Sequence, residues 1–349
     1  MIKLGNREVK DFDIPYIIAE IGSNHNGDMD LARTMIDAAK SCGCDAVKFQ
    51  SWTPDSLIAR EEYDRNQKYN DSSKKHFGSL KEMVEKYYLR RDQHIELKRH
   101  CEGAGITFVS TPFSNEEADL LEELNVPFYK IASMDVNNLL FLEHVAGKGK
   151  PVVMSTGMAT LAEIENAVNA IESTGNRQII LLHCIAIYPP VYEDIHLNNI
   201  PMLRQAFGHP VGFSDHTKGV AIPLASIALG SCVIEKHFTI DKDLPGWDHA
   251  ISADPLEMKM IVEESHNVVK ALGSRRRTIG KLEQEKKIKF RRSIVTKMDL
   301  KKDHVLTCDD FTFKRPESGI RPDEARYVVG RRLKRDMSPD EVVQWEDLI

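Results

Sequence analysis

No stretch of the 349 residues approaches the ~20 consecutive apolar positions that a membrane span requires, and hydrophobic residues make up 42% of the chain. Cysteine is scarce. The six present (Cys42, Cys44, Cys101, Cys184, Cys232 and Cys308) are too few for the disulfide framework of a secreted scaffold. Cys42 and Cys44 form a Cys-x-Cys pair with no second pair nearby, which argues against a zinc knuckle. Cys184 and Cys232 lie within or beside apolar runs and read as small buried hydrophobic residues. A basic excess is missing too: the formal charge is -6, so a general nucleic-acid or anionic-membrane partner is not expected. The first 13 residues are polar and lack a signal-peptide core. Cytoplasmic localisation, with no nucleic acid and no membrane among the partners, is the expectation.

Against these absences stand eight short apolar runs, at 16–20, 45–50, 106–111, 127–133, 151–156, 178–183, 210–216 and 232–237. Each stops at a charged, amide, hydroxyl or imidazole side chain. Continuous apolar runs of this length, separated by helix-patterned stretches, read as buried parallel strands. Helical spacing of apolar residues follows them at 31–40, 91–102, 115–123, 139–144, 161–171, 200–207, 219–229 and 255–272. Ser114 with Glu117, and Thr160 with Glu163, have the capping-box spacing. The fold class predicted is α/β: a (β/α)8 barrel, in which reacting groups gather at the C-terminal strand ends.

Two features lie outside that repeat. The connection from Ser51 to about Leu89 is much longer than a barrel needs and is rich in charge (Glu61, Glu62, Asp64, Arg65, Lys68, Asp71, Lys74, Lys75), which suggests a substrate-covering role. After Leu272 comes a basic stretch to Arg292, read as helix-poor and solvated. Short β-like pieces follow at 293–296, 311–314, 327–329 and 342–345. The domain reading is therefore a barrel over 1–282, a linker over 283–292 and a small β-rich domain over 293–349.

The polar strand ends define the candidate site. His216 and His237 close two consecutive strands; neutral imidazoles there could share a divalent metal with open positions, although two hydrogen-bonded structural histidines are the other reading. Without a cysteine cluster, Mn²⁺, Mg²⁺ or Co²⁺ suits the pair better than structural zinc. Lys48 and Lys130 face the same mouth as Thr111, Ser133, Ser155 and Thr156, a set suited to a dianionic ligand. Glu20 is a candidate for proton transfer or for binding a polyol hydroxyl. Asp248 is a second carboxylate, or a loop cap. Tyr188 offers a face and a hydroxyl to a sugar, and His183 reads as a packed barrel residue.

Several segments resemble the N-acetylneuraminate (sialic acid) synthase family. They are Ile18-Ala19-Glu20-Ile21-Gly22-Ser23-Asn24-His25-Asn26-Gly27, Val47-Lys48-Phe49-Gln50, Ser110-Thr111-Pro112-Phe113, Tyr129-Lys130-Ile131-Ala132-Ser133, Ser155-Thr156-Gly157-Met158, Gly212-Phe213-Ser214-Asp215-His216-Thr217 and Ile234-Glu235-Lys236-His237-Phe238-Thr239. The resemblance implies a barrel joined to a C-terminal SAF domain, similar to type III antifreeze protein. It also implies condensation of phosphoenolpyruvate with an acylated amino sugar to a nine-carbon 2-keto acid. His216 and His237 then fall on the metal ligands, with Mn²⁺ the usual ion. Lys48, Thr111, Lys130, Ser133, Ser155 and Ser214 fall on phosphoenolpyruvate contacts, and Glu20, Gln50, Tyr188 and Asp248 on positions near the sugar. Lys314-Arg315-Pro316 matches a segment whose arginine enters the partner's active site, which implies a domain-swapped homodimer.

Ile185-Ala186-Ile187 departs from the family pattern, which commonly has a polar residue there. The acceptor expected is N-acetylmannosamine or, with that hydrogen bond gone, a less hydroxylated 2,4-diacetamido-trideoxy sugar leading to legionaminic acid. Two rivals are weighed. A deoxy-heptulosonate or deoxy-octulosonate phosphate synthase would lack the C-terminal domain. A non-catalytic carbohydrate-binding protein on the same scaffold would not need both histidines, both lysines and Glu20.

Overall fold

The computed structural model describes residues 2–66 and 79–349. They divide into two compact units, Met1–Gly273 and Ser274–Ile349. The first opens on an antiparallel hairpin, β1 (Ile2–Leu4) and β2 (Arg7–Val9). Eight parallel strands follow: β3 (Tyr16–Gly22), β4 (Ala46–Ser51), β5 (Thr107–Pro112), β6 (Tyr129–Ile131), β7 (Val152–Ser155), β8 (Ile179–Cys184), β9 (Val211–Asp215) and β10 (Val233–His237). Their order is β5-β4-β3-β10-β9-β8-β7-β6, and β5 lies beside β6 to close the ring. All eight apolar runs are strands of a (β/α)8 barrel.

The eight expected helices are present: α1 (Met29–Ser41), α5 (Arg91–Ala104), α6 (Asn115–Glu123), α7 (Leu139–Ala146), α8 (Leu161–Ser173), α9 (Asn199–Phe207), α10 (Ala221–Ala228) and α11 (Pro255–Leu272). Thr160 and Glu163 form the reciprocal box that starts α8. At α6 only half of the motif forms, with Ser114 accepting from the Glu117 amide.

Strand alternation decides what reaches the site, because successive side chains point to opposite faces. Ile17, Ala19 and Ile21 of β3, Val47 and Phe49 of β4, and Ile179 and Leu181 of β8 join the core between sheet and helices. Tyr16, Ile18, Ala46, Phe128, Val153, Ile180, Leu182 and Val233 fill the barrel interior, and Ile2, Leu4 and Val9 of the hairpin pack onto that same cluster. The inward register therefore runs Tyr16, Ile18, Glu20 on β3 and Ala46, Lys48, Gln50 on β4. The lower layers are apolar and the top one is polar.

The connection after β4 is not merely a charged loop. It contains α2 (Pro54–Leu57), α3 (Arg60–Arg65) and α4 (Leu80–Tyr87), the last started by a Ser79–Glu82 capping box. Trp52, Tyr63, Leu80, Met83, Val84 and Tyr87 bury a satellite cluster there, against Leu57, Ile58, Phe113 and Trp247. Lys68, Asp71, Lys74 and Lys75 lie outside the described residues.

The second unit also differs from expectation. α12 (Lys281–Phe290) occupies most of the segment read as a linker. Lys, Glu, Gln and Leu favour helix intrinsically, but α12 buries none of its residues, so it has no apolar stripe to betray it. β11 (Ser293–Thr296) and β12 (Phe311–Lys314) pair antiparallel. Residues 327–329 are not a strand; Tyr327 ends the 3-10 segment Pro322–Tyr327 and Val328 caps it. Ile294, Leu300, Phe311, Ile320, Leu333 and Val343 belong to the small core. Among the described residues no helix is long and apolar enough to cross a membrane.

Candidate active site

A cavity of about 410 Å³ opens at the C-terminal ends of the strands. Glu20, Lys48, Gln50, Thr111, Lys130, Ser133, Ser155, Tyr188, Ser214, His216 and His237 all line it. The barrel thus brings together eleven of the thirteen sequence-predicted site residues. Asp248 does not line the cavity but lies against it, with Oδ2 3.7 Å from His237 Nδ1. Its backbone carbonyl also accepts from the Ile251 and Ser252 amides in the following turn. Arg315 belongs to the second unit, where its guanidinium lies 5.0 Å from the centre of the Phe290 ring.

The floor is a buried charge cluster. Lys48 Nζ lies 2.8 Å from Glu20 Oε2 and donates to Thr111 Oγ1 at 2.9 Å. Lys130 Nζ donates to Ser155 Oγ at 2.8 Å and to the Ile131 carbonyl at 3.1 Å. Between the two ammonium groups sits Glu235, a residue whose role the sequence reading missed. Its oxygens lie 3.4 Å from Lys130 Nζ and 3.7 Å from Lys48 Nζ, and it accepts from Ser214 Oγ at 2.9 Å. The signal was available: Glu235 and His237 are two apart on one strand and so share a face.

Lys236, between them, points the other way. Its Nζ donates to Asp215 Oδ2 at 2.5 Å and to the Thr217 carbonyl at 2.6 Å, all buried on the helix side of the sheet. That pair ties together the two strand ends that carry His216 and His237. His183 faces outward as well, with Nε2 2.6 Å from the Ile195 carbonyl, and is the packed residue expected.

Burial and charge set the protonation states. Glu20 is held above the usual carboxylate range by burial and by the nearby Glu235 charge, which outweigh Lys48. Burial acts against the charged form of Glu235 as well, but Lys130 and Lys48 prevail and hold it low. Burial pushes Lys130 down, with Lys48 adding to the effect, while the two carboxylates keep Lys48 up. His216 is lowered to about 4 by burial and by His237. His237 is lowered to about 3 by burial and by Lys48. Both imidazoles are neutral at pH 7.

Those rings fit a divalent ion. Their centroids are 5.4 Å apart. His216 Nδ1 donates to the Ile185 carbonyl at 2.9 Å, which leaves the Nε2 lone pair for a ligand. His237 Nδ1 is buried without a hydrogen bond. Among the described residues no group of three or more His, Cys, Asp or Glu forms a complete ligand set, so substrate and water would share the coordination. Tyr188 packs against this pair, tilted 48° at 4.1 Å from the His216 ring and edge-on at 6.0 Å from that of His237.

Backbone geometry keeps the cradle open. Gly22 has φ +53° beside the register shift that ends the β3–β4 ladder. Gly157 donates its amide to Ser133 Oγ at 3.0 Å, and a Cβ there would meet that oxygen at 2.8 Å. Cys184 is buried, as read, and also lines the cavity, 3.6 Å from Ser133 Oγ. Above the floor the walls are apolar: Trp52, Leu57, Ile58, Phe113, Met134, Met158, Ala186 and Trp247.

The NeuB family profile matches residues 35–277, and the SAF domain profile matches residues 291–349. An uncharacterised protein of Methanocaldococcus jannaschii is 44% identical over 348 residues, covering 100% of this chain and 98% of that protein. The N,N'-diacetyllegionaminic acid synthase of Campylobacter jejuni is 39% identical over 330 residues, covering 94% and 98%. Among solved structures, the N-acetylneuraminic acid synthetase of Leptospira borgpetersenii, in complex with citrate, superposes with a TM-score of 0.71 at 36% identity, covering 82% of this chain and 94% of that one. The barrel, the polar ring at its mouth and these matches together place the chain in the NeuB family of synthases, an enzyme with a C-terminal SAF domain.

Proposed function

We propose that the enzyme condenses phosphoenolpyruvate with an acylated amino sugar, giving a nine-carbon 2-keto acid and phosphate. One observation carries the reading: two buried lysines, a ring of hydroxyls and two neutral imidazoles converge on one cavity. Lys48 and Lys130, with Thr111, Ser133, Ser155 and Ser214, offset the negative charge of the enol phosphate and its carboxylate. Carbon 3 of phosphoenolpyruvate attacks the open-chain aldehyde. As that carbonyl opens, its oxygen needs a proton, and Glu20, raised by burial to about 7 and accepting from Gln50 Nε2 at 3.0 Å, is placed to supply it from its protonated form. Water adds at the cationic carbon 2, and the tetrahedral intermediate collapses with C–O cleavage to release phosphate. A divalent ion on His216 and His237, Mn²⁺ in preference to Mg²⁺ or Co²⁺, would contribute Lewis acidity toward the aldehyde oxygen.

The acceptor is N-acetylmannosamine or a 2,4-diacetamido-2,4,6-trideoxy hexose. Ala186 on the wall and the apolar side chains around it favour the less hydroxylated sugar, as does the name of the Campylobacter relative. We further propose that Arg315 serves the active site of a second copy in a domain-swapped homodimer, as its match to the family segment implies. The test is phosphate release from phosphoenolpyruvate and Mn²⁺ with N-acetylmannosamine, its 6-phosphate and the diacetamido-trideoxy hexoses. Release with one unphosphorylated sugar supports the reaction; silence with all of them refutes it.

A further inference from the structure

Lys236 and Asp215 are each 1% exposed, and neither lines the cavity. They are the last register partners of β9 and β10, and His216 and His237 each come one residue later. β9 ends at Asp215, so His216 lies past the ladder that aligns the two strands. A clamp of three hydrogen bonds holds the chain there. Asp215 Oδ1 accepts from the Thr217 amide at 2.9 Å, closing a turn around His216. Lys236 Nζ donates to both ends of that turn, to Asp215 Oδ2 at 2.5 Å and to the Thr217 carbonyl at 2.6 Å. The residue before His237 thus grips the residues on either side of His216.

Stability alone does not account for such a pair. Two charges this deep are often no better for folding than apolar side chains of similar size, because their desolvation offsets their attraction. What an ammonium group adds is direction, since it fixes two acceptors that an apolar side chain could not. Alternation along β10 sends Lys236 and His237 to opposite faces, so the clamp works from behind the site. Resting on the proposed divalent-ion site, we infer that Lys236, with Asp215, is a positioning residue that sets His216 against His237 and so governs affinity for the ion. The floor does not depend on the clamp. Lys48, Lys130 and Ser155 stand on other strands, and Ser214 and Glu235 are register partners one step back, within the ladder.

The experiment titrates Mn²⁺ by calorimetry into wild type and into the double variant Asp215→Asn with Lys236→Met, which removes both charges and leaves no ion unpaired. The Kd for Mn²⁺ should rise roughly tenfold, the lower end of the loss seen when support behind metal ligands is removed. Turnover should need correspondingly more Mn²⁺ for half its maximal rate, with kcat recovering once the metal saturates. The KM for phosphoenolpyruvate should stay within about twofold of wild type, because neither side chain lines the cavity. Wild-type Mn²⁺ affinity in the variant, even with a lowered melting temperature, would make the pair merely structural and overturn the inference. A KM for phosphoenolpyruvate raised as much as the Kd for Mn²⁺ would overturn it too. Should the double variant not fold, Lys236→Gln keeps a donor of shorter reach, and wild-type Mn²⁺ affinity there would refute the inference equally. Wild-type protein that takes up no Mn²⁺, Mg²⁺ or Co²⁺ overturns the metal site and this inference with it. Wild-type uptake with an unchanged variant overturns this inference alone.

Discussion

Replacing Glu235 with Gln keeps the shape of the floor and removes the charge that Lys48 and Lys130 share. Both lysines are about 3% exposed, and Glu235 is 5% exposed. Glu20, already held toward its neutral form, is not placed to serve both ammonium groups: its ion pair is with Lys48 at 2.8 Å. Breaking a buried ion pair by removing one partner costs roughly 3–5 kcal/mol. Lys130, pushed down by burial, can shed its proton and soften the loss, so the lower end, about 3 kcal/mol, is expected. At about 2 °C per kcal/mol for a chain of this size, the melting temperature falls by roughly 6 °C. On the proposed reading, a dianionic substrate would restore the missing charge. Phosphoenolpyruvate should therefore raise the melting temperature of Glu235→Gln more than that of wild type, in scanning fluorimetry with and without ligand. A variant that melts with wild type and responds no more strongly to phosphoenolpyruvate would show that the lysines do not depend on Glu235.

Three further expectations follow from the geometry. Ala at His216 or His237 should abolish metal-dependent turnover and Mn²⁺ binding by calorimetry, while full activity of both variants after thorough chelation would rule out their role as ligands. Arg315→Ala should raise the KM for the sugar more than that for phosphoenolpyruvate, and equal loss of both would count against a role at the sugar end. His25 is lowered to about 4 by burial and by His94, and its Nδ1 accepts from the Gly27 amide at 3.1 Å. The unfolded imidazole takes a proton near 6.5 and the folded one only near 4, so acid favours the unfolded chain. Its contribution, on the order of 3 kcal/mol, is complete above pH 6.5 and lost as pH falls toward 4. The urea midpoint of wild type should drop more steeply across that window than that of His25→Asn, and parallel slopes would refute the assignment.

The barrel was legible because its strands are buried on both faces, so each one reads as a largely apolar run ending in a polar residue. The candidate site was legible from the polar residues of those runs. Lys48 and Lys130 lie within two of them, and His216 and His237 close two others. Glu235 was overlooked because it is followed by Lys236, and the two look like an exposed charge pair until the strand's alternation sends them to opposite faces. Short elements escaped for a different reason. α2 and α3 span 4 and 6 residues, and β1 and β2 span 3 each, less than the windows over which periodicity shows. α12 has no apolar face to detect, and Trp52, Phe113 and Trp247 meet in one wall only through tertiary contact.

The hairpin beneath the barrel has a consequence for traffic. Ile2, Leu4 and Val9 close the far end of the barrel with apolar side chains, so among the described residues the cavity opens at the strands' C-terminal ends. Under the proposed condensation, a ligand at the lysines would enter before the sugar that covers it, and phosphate released at the floor would leave after the larger product above it.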